Sequence, residues 1–303
     1  MDVIQYSLDW LTNLSLMGSV EPSTVRDYRN NLLSWARWLD MDVADVTRRD
    51  VERAMAAMLS EGRAPSTVKK RLVTLRRVMQ DAVEYGDIPS DPTANVRNPK
   101  LRLVQHNYLA ADERERLKAK IASSNSQLLV AAAIALYAGL REAEICALRV
   151  SDVDLEGRVG WVRNAIGRSS DGCYEKGSKS NHMRDFPIPS PLASVIARWV
   201  DTHEVRAGTY LLTGTDRWCD PGILGRKWST LCDIEGYVGI LGKRPTFHDL
   251  RHTYATVAIS SGVDVKTVSS VLGHSSAAMT LDVYAVADPV AKRMSADVMA
   301  RAI

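Results

Sequence analysis

Apolar residues recur at helical spacing through the first hundred positions of the chain. Ile4, Leu8, Leu11 and Leu14 form one stripe over residues 2–17, and Val25, Tyr28, Leu32, Trp35 and Leu39 form a second. Thr47 followed by Asp50 is a capping box, in which hydroxyl and carboxylate each satisfy a free backbone N–H of the first turn. It predicts a third helix with Val51, Met55 and Met58 facing inward. A fourth is predicted over residues 66–85, with Val68, Leu72, Leu75, Met79 and Val83 on one face. The tetrapeptide PSTV occurs at residues 22–25 and 65–68, but the segments diverge beyond it, so it is a shared helix-start signal and not a repeat. Gly86 ends the fourth helix, and Pro89 and Pro92, which lack the donor N–H, prevent its continuation.

The aperiodic basic stretch VRNPKLRLVQH then reads as a linker over residues 96–106, dividing a helical domain at 1–95 from a mixed domain at 107–303. In the second domain helices are predicted at 109–121, 127–138 and 141–148. The middle one is almost wholly apolar and Gly139 supplies the left-handed stop such helices favour. Short strands are expected at 159–162 and 186–188 around a polar hairpin. Helices follow at 191–200, 219–233, 246–261, 265–272, 277–286 and 289–302. The fold class is therefore mainly α with a small β-sheet.

Composition agrees with two ordinary domains: 303 residues, 46% hydrophobic and 25% charged, which excludes a disordered, collagen-like or coiled-coil chain. The longest apolar run, 128–139, falls short of the about 20 residues that a membrane helix needs. The start MDVIQYSLDW lacks the basic opening of a secretory signal. A cytoplasmic protein without a membrane partner is expected. Cys146, Cys173, Cys219 and Cys232 form no CxxC pair and read as reduced packing thiols. The net charge of +3 hides local excesses, since neither domain is strongly basic as a whole. Lys69, Lys70, Arg76 and Arg77 lie away from the apolar face of the fourth helix, with no acid between Glu61 and Asp81, and the linker adds more basic residues. A solvated helix face and a nucleic-acid surface both fit such a cluster.

Four places carry chemistry. Arg141 stands where the buried helix stops and the next begins, and a guanidinium there wants a carboxylate or a phosphate, with Glu144 the local candidate. Lys176 and Lys179 lie on the polar hairpin. In TFHDLRH, His248 and Arg251 are three apart and project from one side of a helix toward a common ligand, whereas Leu250, Tyr254 and Val257 read as the core-facing stripe. His248 and His252 have the spacing of a zinc-binding helix, but Asp249 replaces the general-base Glu and Arg251 would set a cation beside the ion, so His252 reads as packing and no metal is expected. His274 follows a helix-ending glycine. Tyr284 is a nucleophile only if cations or a base ionise a phenol whose ordinary pKa is near 10.

Taken in order, Arg…Lys…His-x-x-Arg…Gly-His…Tyr resembles the tyrosine recombinase family of phage-type integrases, carried by GLRxxE, HxLRHT and LGHSS…TLDVY over nearly the whole chain. The resemblance implies a C-shaped DNA clamp, with a core-type DNA-binding domain at 1–95 and a catalytic domain at 107–303. It implies that Tyr284 attacks the scissile phosphate, giving a 3′-phosphotyrosine and a free 5′-hydroxyl. Arg141 and Arg251 would hold the phosphate oxygens and Lys179, with Lys176 as the alternative, would protonate the leaving oxygen. His248 would serve in acid/base catalysis, His274 would hydrogen-bond the phosphate, and Glu144 would hold Arg141 unless it is a plain surface carboxylate. Lys69, Lys70, Arg76 and Arg77 would contact DNA. No cofactor, metal or ATP is expected. The expected partners are double-stranded DNA at a specific site and further copies of the chain, as a homotetramer joined through helix 289–302. Integration or excision of a mobile element or prophage is the expected role, by a simple core-site enzyme at the nucleoid of a bacterial or phage system. Xer-like chromosome or plasmid resolution and type IB topoisomerase-like relaxation are the alternatives.

Overall fold

The computed structural model describes residues 1–101, 105–177 and 183–273. The chain forms two compact units, one of residues 1–103 with 168–172 and the other of residues 104–167 with 173–303. The first contains α1 (Val3–Leu16), α2 (Pro22–Leu33), α3 (Arg48–Ser60) and α4 (Pro65–Glu84). Each start has a local cause. Asp2 accepts hydrogen bonds from the Ile4 and Gln5 amides, Thr47 and Asp50 form the capping box, and Pro22 and Pro65 occupy the first turns of α2 and α4 with their φ already helical. Val51, Met55, Met58, Val68, Leu72, Leu75 and Met79 are buried together. The second stripe outlasts its helix: α2 ends at Leu33, yet Trp35 and Leu39 reach the same core from the turns that follow.

The second unit comprises α5 (Ala111–Ser123), α6 (Gln127–Ala138), α7 (Glu142–Ala147), β1 (Val153–Asp154), β2 (Val159–Val162), β3 (Asn164–Arg168), β4 (Cys173–Gly177), β5 (Arg184–Pro187), α8 (Ser190–Thr202), α9 (Pro221–Glu235), α10 (Phe247–Ser260) and α11 (Val265–Leu272). Helix α6, buried along nearly its whole length, is the axis of the core. It stops at Gly139, whose φ of +68° no other residue adopts readily. A Cβ there would come within 2.6 Å of Tyr254 and 2.8 Å of Leu272, so this glycine also lets α10 and α11 close on the helix end. Trp228 of α9 is fully buried, and its indole N–H donates to the Pro245 carbonyl at 3.0 Å, fixing the approach to α10.

Strands β1, β2 and β5 make an antiparallel sheet in which Gly160 faces Phe186 and Val162 faces Arg184. A side chain at Gly160 would overlap the Phe186 ring. Between β2 and β5 two further strands are present beyond those expected, because β3 and β4 pair with each other over residues 164–177. Strand β5 also begins two residues before its expected start, at Arg184. The predicted helices 277–286 and 289–302 lie outside the described residues. No helix among the described residues is long and apolar enough to cross a membrane.

Candidate active site

The site is assembled at the ends of four helices. Arg141 is the residue before α7, and the first turn of that helix brings Glu144 back to it. The Arg141 amide donates to Glu144 Oε2 and its Nη1 to Oε1, both at 2.8 Å, while Nη2 donates to the Gly273 carbonyl at 3.1 Å. Glu144 is thus no surface carboxylate: it is 6% exposed and receives a second arginine, Arg184, whose Nη1 and Nη2 reach Oε1 at 2.9 Å and Oε2 at 2.6 Å. Burial alone would raise the Glu144 pKa. The bonds and charge of Arg184, joined by those of Arg141, outweigh it and hold the carboxyl below its ordinary value.

Arg251 lies deepest, at 2% exposure. Its Nη1 donates to the Gly139 carbonyl at 2.8 Å and its Nη2 to the Leu272 carbonyl at 2.6 Å. These are the free carbonyls at the C-terminal ends of α6 and α11, where a cation is favoured and where the orphan acceptors would otherwise lack partners. Burial, and then the nearby Arg141 charge, lower the Arg251 pKa to about 9, so the group stays protonated at neutral pH. Asp249 caps α10 by accepting from the Thr246 amide at 2.6 Å and hydroxyl at 2.8 Å, which commits its carboxylate to the helix start. His248 lies beside this cluster, and its pKa is lowered by desolvation, by Arg251 and by Arg141, which favours a neutral imidazole able both to accept and to donate. Its ring meets His252 edge to face at 4.8 Å between centroids, and His252 in turn lies 4.4 Å from His106.

Arg141, Glu144, His248 and Arg251 are therefore brought together, and Arg184 and His106 join them without having been singled out in the sequence. Arg184 had one readable signal, its place two residues before the buried Phe186 and thus on the same strand face. Lys176 sits on β4, half-buried; Lys179, His274 and Tyr284 lie outside the described residues. On α4 the four basic residues divide. Lys70 is exposed and Lys69 half-buried. Arg76 instead donates to the Thr93 and Val96 carbonyls at 3.3 and 3.0 Å, and Arg77 donates to the Tyr28 hydroxyl at 3.2 Å with its guanidinium over Trp10 and Tyr28. Arg76 is thus tied to its own unit, whereas Arg77 remains exposed beside these rings.

Three guanidinium groups around one carboxylate leave a net positive cluster at converging helix ends, suited to an oxyanion. The chain belongs to the phage integrase family, which it matches over residues 107–289, and residues 8–86 match the phage integrase N-terminal SAM-like domain. Among curated relatives, tyrosine recombinase XerD of Oceanobacillus iheyensis is 24% identical over 92% of this chain and 93% of its own length. Tyrosine recombinase XerC of Xanthomonas campestris pv. campestris is 27% identical over 95% and 89%. Among solved structures, the Tn1549 transposon integrase in complex with transposon right end DNA has a TM-score of 0.78 at 21% identity, covering 99% of this chain and 100% of that one. A lambda integrase dimer bound to a COC′ core site has a TM-score of 0.70 at 21% identity, covering 92% and 94%.

Proposed function

We propose that this protein recombines DNA at a specific site, with residues 1–95 gripping the duplex and residues 107–303 carrying the chemistry. The observation behind the reading is the convergence of Arg141 and Arg251 on the end of α11, directly before residue 274. In-line displacement at a phosphodiester loads charge onto the non-bridging and leaving oxygens, so catalysis is chiefly positioning and neutralisation. Arg141, whose side chain is 37% exposed, and the buried Arg251 supply fixed donors for those oxygens. The Tyr284 hydroxyl gives its proton to His248 and its oxygen bonds to phosphorus. The bond to the 5′ oxygen breaks, and that oxygen takes a proton from Lys179, with Lys176 the alternative donor. A 3′-phosphotyrosine and a free 5′-hydroxyl result. His248 serves as acid and base, His274 hydrogen-bonds the phosphate and Glu144 keeps Arg141 aimed.

A 5′-hydroxyl from a second strand then attacks the phosphotyrosine and the phenol departs with its proton restored. Phosphodiester bonds are conserved through the cycle, so it balances without ATP, and the guanidinium groups provide the positive charge that a metal would otherwise bring. Lys69 and Lys70 contact the DNA backbone, and helix 289–302 joins four copies on DNA in the cytoplasm. Integration or excision of a mobile element is the primary role. The match to proteins named XerC and XerD along most of their length supports a second, resolution of chromosomes or plasmids. Intermolecular and directly repeated sites on plasmids separate these two products.

The reaction is tested with a pool of nicked suicide duplexes of randomised core sequence, incubated in EDTA. A covalent protein–DNA adduct is expected, and it should vanish in Tyr284→Phe. An adduct that survives that substitution removes Tyr284 as nucleophile, and relaxation of unrelated plasmid DNA would point to topoisomerase-like chemistry.

A further inference from the structure

Three consecutive carbonyls close the C-terminal end of α11, and each accepts from a different arginine: Val271 from Arg184 Nε at 3.0 Å, Leu272 from Arg251 Nη2 at 2.6 Å and Gly273 from Arg141 Nη2 at 3.1 Å. Two of these arginines are the phosphate clamp proposed above. The third differs in that every one of its nitrogen atoms is committed to a protein acceptor, two on Glu144 and one on Val271. Its side chain is 17% exposed, less than half the value for Arg141.

We propose that Arg184 is a positioning residue, which acts on strand cleavage by holding Glu144, and through it Arg141, in register with the end of α11; this role rests on the recombinase reading. The base of the strut is rigid. Arg184 faces Val162 across the β2–β5 ladder, and Phe186, on the same face two residues later, is 1% exposed in the core. Its far end lies against the turn after α11. Gly273 has a φ of +63°, and a Cβ on it would come within 2.8 Å of Arg184 Cδ, so the helix end is shaped to admit this side chain. The guanidinium binds both Glu144 oxygens side by side, a planar geometry that lysine cannot reproduce. Without it, Glu144 keeps only its bonds from Arg141, a carboxylate in a buried place is left with half of its partners, and Arg141 loses the buttress behind the carboxylate that aims it.

Arg184→Ala and Arg184→Lys are compared with the full-length wild type on a duplex recovered from the randomised nicked pool. Single-turnover adduct formation in Arg184→Ala is expected to slow on the order of 100-fold, the usual effect of small misplacement in a positioned site, with duplex affinity held within about threefold. Arg184→Lys should recover only a minor part of the rate. Because the strut acts through Glu144, the double variant Arg184→Ala/Glu144→Gln should be no slower than the worse single variant. Unchanged cleavage, equal losses in binding and cleavage, or single-variant losses that multiply would each overturn the role. Amide exchange in the DNA-free protein provides an arm independent of activity: Gly273 should exchange about tenfold faster in Arg184→Ala while α6 stays protected. If the wild type forms no adduct with the pool, the recombinase reading fails on its own account, and unchanged Gly273 protection would then refute the strut as well. Should Arg184→Ala not fold, Arg184→Lys carries the same measurements.

Discussion

Arg251 and Glu142 are two ionisable groups in confined places that the protein treats in opposite ways. Arg251 keeps its charge because two helix C-termini turn their free carbonyls to it. Glu142, at the start of α7, has a buried Oε1 without a hydrogen-bond partner, and burial together with Asp220 raises its pKa from 4.5 to about 7. At a pH well below 4.5 the folded and unfolded states both carry the proton. As pH climbs from 4.5 toward 7 the unfolded chain releases it while the folded one retains it, so stability falls across that window and stays lowered above it. Glu142→Gln is therefore expected to raise the melting temperature at pH 8 by roughly 1–3 °C and to leave it unchanged at pH 4. Scanning calorimetry at the two pH values checks this, and an equal shift at both would discard the carboxylate as its source. The same scale decides what could be read from the chain. Arg141, His248 and Arg251 were legible because helix punctuation and three-residue spacing fix them locally. Arg184 was not, since its partners Glu144 and Val271 lie 40 and 87 residues away and only the β2–β5 register aims it at them.

At the scale of elements, α4 separates the two kinds of information in an amphipathic pattern. Its apolar face was legible as a stripe, and Val68, Leu72, Leu75 and Met79 are all buried. Its polar face was not, because charge alone does not distinguish a cation held by its own domain from one left to solvent. Arg76 ties the segment after α4 by its Thr93 and Val96 carbonyls, whereas Lys70 is exposed. The β3–β4 ladder escaped for a related reason: its strands, NAIGR and CYEKG, have no run of buried alternation for a sequence pattern to register. The division on α4 makes a paired prediction. Replacing Lys69 and Lys70 by Ala should weaken duplex binding and reduce the slope of log affinity against log salt by up to about 2, near 0.9 for each phosphate left without its lysine, at unchanged melting temperature. Arg76→Ala should do the reverse, lowering stability by about 1–3 kcal/mol through the two abandoned carbonyls while the salt slope stays as in the wild type. Fluorescence anisotropy of a labelled duplex across a salt series, read beside thermal melts, tests both. Identical slopes in the lysine double variant and the wild type would remove α4 from the DNA interface.

On the scale of the whole molecule, the match to the catalytic family ends at residue 289, while the chain continues to Ile303. The extension carries Val290, Met294, Val298 and Met299, an apolar spacing that suits one face of a helix. Such a stripe must be covered either by its own catalytic unit or by a neighbouring copy. The two coverings separate experimentally, because cleavage of one strand needs a single active site, whereas exchange of strands needs several active sites on one DNA assembly. If a neighbour takes the helix, a chain ending at Ala287 should still form covalent adducts with a nicked suicide duplex, within about tenfold of the full-length rate, but yield no recombinant product from a plasmid carrying two sites. On native gels its DNA complexes should stop short of the four-protomer species proposed for the chain that ends at Ile303. A tail packed on its own domain predicts otherwise, since its removal would expose core surface, lower the melting temperature and impair cleavage and exchange together. Recombination that persists in the shortened chain would exclude the tail as the link between protomers, whichever way its apolar face is covered.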